Sequence, residues 1–160
     1  MNKVLLKKIV DALGAVLAFV MLLITKVGVS LTVGNETSNP VYKGFFEFLS
    51  DAKKVDVFGF ARVMMWIGFI LVIACMAYFI AILVLHFLNQ HKLIGKLKNI
   101  TKVVEFVLIG AVFVVLIAGF DKETSALGNM TQNITLFGFP WALALVFSAV
   151  PFASKYFIKY

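Results

Sequence analysis

Apolar positions in this chain come in long runs separated by short polar connections, and those runs set the first expectation of architecture. Residues from about Ile9 to Val33, Val57 to Leu88, Val103 to Phe120 and Leu136 to Ile158 are each predominantly apolar. Several stretches exceed the roughly 18 apolar residues that mark a membrane-crossing helix. The pattern therefore predicts an all-α membrane protein, a bundle of four transmembrane helices. The second helix, roughly 48 Å long if wholly helical, is expected to tilt or to project beyond the bilayer.

Between the first two runs, NPVYKGFFEFLSDAKK has a different pattern. Asn39 can cap a helix, and Pro40 suits a first helical position. Val41, Phe45, Phe48, Leu49 and Ala52 then recur at helical spacing, with Lys43, Glu47 and Asp51 mostly on other faces. The stretch is expected to form a short amphipathic helix (about 40–52) on the outer membrane surface. Phe45, Phe48 and Leu49 would be its outer contact surface.

Short strings repeat in the same order in the two halves. Lys8-Ile9-Val10-Asp11 and Lys102-Val103-Val104-Glu105 open the first and third runs. Glu36-Thr37-Ser38 and Glu123-Thr124-Ser125 follow them, Phe58-Gly59-Phe60 matches Phe137-Gly138-Phe139, and Tyr78-Phe79-Ile80 matches Tyr156-Phe157-Ile158. The offset between copies shrinks along the chain, as shorter connections in the second copy would produce. This reading makes residues 1–160 a single integral membrane domain with an internal repeat, 1–90 and 102–160, joined by a cytoplasmic link at 89–102. Each copy would be an inside–outside–inside hairpin, and the two would be related by a pseudo-twofold axis along the membrane normal. Gly14, Ala18, Gly110, Ala144 and Ser148 would let the hairpins approach closely.

Composition agrees with a lipid-solvated chain: 62% of residues are hydrophobic and 14% charged, too little polar surface for a water-soluble domain. The net charge of +7 raises nucleic-acid binding, but the lysines flank apolar runs and form no basic face. Lysines cluster at the N-terminus, in 89–102 and at the C-terminal end, so both termini and that link are expected to be cytoplasmic. Lysine outnumbers the lone arginine, Arg62, a skew of AT-rich genomes that points to a bacterial plasma membrane. Cys75 is the only cysteine, so no intrachain disulfide forms.

No P-loop, GxGxxG, HExxH or CxxC is present, and two histidines do not make a dedicated metal site. Neither enzyme activity nor a cofactor is expected. The candidate chemistry lies where the repeat breaks its symmetry. Arg62 follows the first FGF where Trp141 follows the second, and Lys26 has an apolar counterpart. Lys26 and Arg62 are expected near the outer boundary, as a site for an anionic ligand or lipid headgroup, with Asp56 and Asp121 as their ion-pair partners. On the inner side, Asp11 and Glu105 occupy matching places just inside the first and third helices, where acids complement the helix dipole and neighbouring lysines. Pro151 is expected to kink the fourth helix.

The plan of four spans, both ends inside and a longer first outer connection resembles that of eukaryotic four-span junction proteins. The outer segment lacks their tryptophan and paired cysteines, and no family is assigned. The expected role is an assembly, scaffold or accessory subunit acting through helix–helix and lipid contacts, with membrane lipids and a protein partner or a second copy as its company. The alternative is a small channel or transporter with an outward-facing cationic site.

Overall fold

The computed structural model describes residues 3–55, 58–124 and 130–158. Five helices dominate: α1 (Lys3–Ile24), α2 (Phe45–Val55), α3 (Gly59–Phe87), α4 (His91–Ala118) and α5 (Pro140–Phe157). Among the described residues, α3 and α4 are long and apolar enough to cross a membrane. At 29 and 28 residues each extends about 42–44 Å. α1 carries Lys7, Lys8 and Asp11 in its first half, and α5 has 18 residues. α1 packs most extensively on α5 and α3 on α4, with further contacts between α1 and α3 and between α4 and α5.

The all-α expectation is corrected by a five-stranded sheet built from β1 (Lys26–Val33), β2 (Glu36–Thr37), β3 (Val41–Gly44), β4 (Lys122–Thr124) and β5 (Met130–Phe137). The first apolar run is thus not one helix. α1 stops at Ile24, Thr25 Oγ1 caps back to the Met21 carbonyl at 2.8 Å, and the chain continues as β1. The physical reason is a change of period: Val27, Val29, Leu31 and Val33 alternate with Gly28, Ser30 and Thr32, a half-buried strand pattern. Val27 and Val29 sit opposite Leu136 and Ile134 in the antiparallel β1–β5 ladder, which runs the full eight residues of each strand. β1 and β5 come from the two halves of the chain, so the halves share one sheet.

On its other edge β1 pairs first with β2 across a two-residue turn and then with β3. Gly34 takes φ 61° there, the positive value that the first central position of a II′ turn requires. Ser38 bridges the break between β2 and β3. Its N–H donates to the Leu31 carbonyl at 2.8 Å, and its hydroxyl accepts from the Leu31 N–H at 2.9 Å.

The amphipathic helix is also displaced: residues 41–44 are strand, and α2 begins at Phe45. Its Phe45, Phe48 and Leu49 are not an outer contact surface. They are buried at 1–2% exposure, packed in the core shared by the sheet and the long helices. The Phe45 ring lies 5.4 Å from that of Phe69, and Phe69 lies 5.5 Å from Phe19. The aromatic left exposed on α2 is Phe46, against Trp66 and Phe69. At the opposite end the expected 89–102 link is mostly helix, since α4 starts at His91 and only Leu88–Gln90 turn the chain.

Both FGF strings sit where a long helix begins at the sheet end. Each contains a left-handed residue, Phe58 (φ 54°) in the first and Gly138 (φ 85°) in the second. Glycine carries that conformation without cost, whereas Phe58 does so while buried at 2% exposure.

Candidate functional site

Polar side chains gather between the first half of α1, the middle of α4 and the end of α5. Asp11 and Glu105, at 5% and 4% exposure, are the two buried carboxylates of the described residues. Lys7 projects from one turn before Asp11 on the same face of α1, as four-residue spacing requires, and its Nζ lies 2.6 Å from Asp11 Oδ2 and 3.7 Å from Glu105 Oε1. α5 contributes Ser154, which donates to Asp11 Oδ1 at 2.6 Å, and Lys155, whose Nζ is 3.8 Å from Glu105 Oε2. Lys155 also lies 3.7 Å over the ring of Phe152, a cation–π contact. Three helices thus meet through alternating charges. Each buried carboxylate is met by a lysine of another helix, of its own helix, or both, as burial of charge demands.

The sequence placed Asp11 and Glu105 at equivalent helix starts, but Glu105 lies midway along α4 and Asp11 two turns inside α1. Both are too far from either N-terminus for the helix dipole to account for them. The structure brings them instead into one network. Ser154 and Lys155 were missed as site residues. Their signal was a polar Ser-Lys pair one turn after Pro151 inside an otherwise apolar helix.

Beside this network is a cavity of about 340 Å³. Lys7, Lys8, Lys98, Lys102 and Lys155 line it together with Asp11 and Glu105, so its charged lining is five lysines against two carboxylates. Phe79, Ile82 and Ile94 form its apolar wall. Across the helix hairpin, the Tyr78 hydroxyl and Thr101 Oγ1 lie 2.8 Å apart, and both reach the Leu97 carbonyl. These bonds hold the first half of α4 in register with the second half of α3.

The expected Lys26–Arg62 site is arranged otherwise. Lys26 is the exposed first residue of β1, paired in the ladder with Gly44 and Phe137. Arg62, in the first turn of α3, donates from Nη1 to the Ala52 carbonyl at 2.9 Å, tying α3 to the last turn of α2. Asp121 accepts from the Ile134 N–H through its backbone carbonyl and from the Lys122 N–H through Oδ1, so it makes a corner of the sheet. Asp56 lies outside the described residues. Two cavities at the sheet end are lined by other residues, one of them by the Lys43–Asp51 pair, Phe48 and Phe58. The hydrogen bond to Asp51 holds the Lys43 ammonium above the usual lysine range.

No group of three or more His, Cys, Asp or Glu is placed to hold a metal ion among the described residues. No family model, no curated protein and no solved structure matches the chain.

Proposed function

We propose that the chain is a non-enzymatic integral membrane protein of four spans, α1, α3, α4 and α5, whose packed bundle supports the β1–β5 sheet as an outer domain. Its role on this reading is that of an assembly or accessory subunit. The observation that carries it is the closeness of the helices. A Cβ added at Gly14 would lie 2.8 Å from Val150, and one at Gly68 would lie 2.5 Å from Val115 and 2.8 Å from the Ala111 carbonyl. Such close approach of small residues is the usual means of helix association in lipid. Ala15, Ala18, Val72, Val112 and Ala144 are fully buried between them, which supports a closely packed, apolar contact between the helices.

α1 and α5 count as spans because their neighbours do. A helix packed along two membrane-length partners shares their environment; Lys7, Lys8 and Lys155 lie toward the same ends of α1 and α5, and Asp11, deeper in α1, is buried and paired with Lys7. Lysines of both termini and of the α4 start line one cavity, which supports a cytoplasmic position for that end and an external one for the sheet. The parallel-repeat reading gains the equivalent FGF corners at the starts of α3 and α5.

Two measurements test the proposal. Single cysteines placed at Thr32 and Lys96, in a chain with Cys75 replaced, are expected to react with an impermeant thiol reagent from opposite sides of the membrane. Proteoliposomes are expected to show no ion or solute flux above protein-free vesicles. Flux that depends on Lys26 or Arg62 would instead favour the channel reading.

A further inference from the structure

We infer that the cavity between the first halves of α1 and α4 and the end of α5 is a binding site for the headgroup of an anionic phospholipid. The site rests on three observations that come from different helices and agree. The first is charge left over. Asp11 is taken by Lys7 and Ser154, and Glu105 by Lys7 and Lys155. Lys98 and Lys102 face the same space, as does Lys8, which also lies near Asp11, and the described lining carries three more lysines than carboxylates. Three ammonium groups in one concavity repel one another unless an anion joins them.

The second is alignment. Ile94, Lys98, Lys102 and Glu105 recur at spacings of four, four and three, which puts them on one face of α4. All four line the cavity, while Lys92 and Lys96 of the same helix do not. The cationic face is therefore directed and local, and does not extend round the helix.

The third is the apolar wall. Phe79 and Ile82 of α3, with Ile94 one turn before Lys98 on α4, make part of the lining apolar. A small hydrophilic phosphate ester gains nothing from that wall, whereas a glycerophospholipid places its acyl carbons there and its phosphate among the ammonium groups. Basic pockets between helices on the cytoplasmic side of a membrane take acidic lipid headgroups for this reason. The volume of about 340 Å³ falls at the lower end of the range for small-molecule sites. A phosphodiester held there would bridge α1 to α4 and extend the Asp11–Lys7–Glu105–Lys155 network outward.

The lipid as the source of the phosphate depends on the membrane reading above, so the test is arranged to separate the two. The detergent-purified full chain is titrated with short-chain phosphatidylglycerol, with phosphatidylcholine of the same chain length and with glycerol phosphate. Membrane integration is scored independently by carbonate extraction. Phosphatidylglycerol is expected to bind at least about tenfold more tightly than either of the other two. K98Q/K102Q is expected to lower that affinity by about tenfold to thirtyfold, from roughly a kilocalorie per lysine at a lipid surface. I94W, which fills the cavity without changing charge, is expected to lower it as well. K92Q/K96Q removes the same charge from the same helix outside the cavity and is expected to leave it unchanged.

Equal losses in K98Q/K102Q and K92Q/K96Q would overturn the site in favour of diffuse attraction. Equal affinity for glycerol phosphate and phosphatidylglycerol would overturn the lipid as its ligand. A chain that binds as expected yet is released by carbonate would leave the site standing and sink the four-span reading.

Discussion

The Ser154 hydroxyl donates to Asp11 Oδ1 at 2.6 Å across 143 residues of chain, while Lys7 meets the other carboxylate oxygen at the same distance. The first and last long helices are thus joined through one buried carboxylate. A hydrogen bond to a charged group contributes about 1.5–3 kcal/mol, so S154A is expected to lower stability by that order. D11A is expected to cost more, about 3–5 kcal/mol, because it leaves the Lys7 ammonium largely buried with only Glu105 at 3.7 Å. K7M/D11L removes both charges and is expected to cost less than the sum of the single changes. Thermal unfolding of the parent, K7M, D11L and K7M/D11L in one detergent, treated as a double-mutant cycle, gives the comparison. Additive effects would mean that the pair does not act as a unit.

Glycines at two places on the α3–α4 hairpin have opposite surroundings. Gly68 faces Val115 and the Ala111 carbonyl, which as backbone cannot yield, whereas Gly110 has nothing within 4 Å of an added Cβ. The sequence grouped Gly110 with Gly14, Ala18, Ala144 and Ser148 as contact residues. The last three are fully buried and Gly14 is packed against Val150, but Gly110 does not belong with them. G68A is expected to destabilise by about 1–3 kcal/mol through overpacking. G110A is expected to be neutral or to stabilise by up to about 1 kcal/mol, through helix propensity alone. Unfolding midpoints for the two variants decide the matter, and a neutral G68A would contradict the close helix contact.

The sequence made α3 legible because its apolar run has no competing pattern, and it lies within a few residues of where hydrophobicity places it. α4 ends near the expected place but begins at His91, well before Val103, because its first turns are polar and carry the lysines. It misled where two elements were apolar in succession. α1 and β1 together make a run long enough to span a membrane, so the period change at Lys26 was hidden by length. The same masking carried the fourth run back over the last two residues of β5, Leu136 and Phe137, of which Leu136 is a buried strand residue. Phe45, Phe48 and Leu49 did follow helical spacing, but periodicity names a buried face without saying what buries it. The covering element here is a sheet whose strands lie as far as 92 residues away, at Phe137. The Asp11–Ser154–Lys155–Glu105 grouping was illegible for the same reason. Its members are adjacent only after three helices pack.

The β1–β5 register is open to a direct chemical test. Thr32 stands opposite Thr131, and Gln132 is shifted by one and so faces the other side of the sheet. With the buried Cys75 replaced, T32C/T131C is expected to form an intrachain disulfide under mild oxidation. T32C/Q132C is expected to remain reduced, because its side chains diverge. Non-reducing gel mobility and intact mass distinguish the two. Crosslinking of the shifted pair, or of neither, would refute the register that unites the two halves of the chain.

Arg62 fastens α2 to α3 by donating to the Ala52 carbonyl at 2.9 Å. Ala52 lies in the last turn of α2, where helix carbonyls lack intrahelical partners and a cation complements the dipole. Trp141, at the matching place of the second FGF, packs instead on Phe120 with ring centres 6.2 Å apart. The difference between the copies is therefore a difference in what each corner must hold. R62M keeps an apolar stem but loses the donors, and it is expected to lower stability by about 1.5–3 kcal/mol. It should also speed proteolytic cleavage near residues 53–55. R62K retains the charge but not the planar fork, so partial recovery is expected. If Arg62 served an outer anion site instead, R62M would leave unfolding and proteolysis unchanged while abolishing anion-dependent stabilisation, and the two sets of measurements separate the roles.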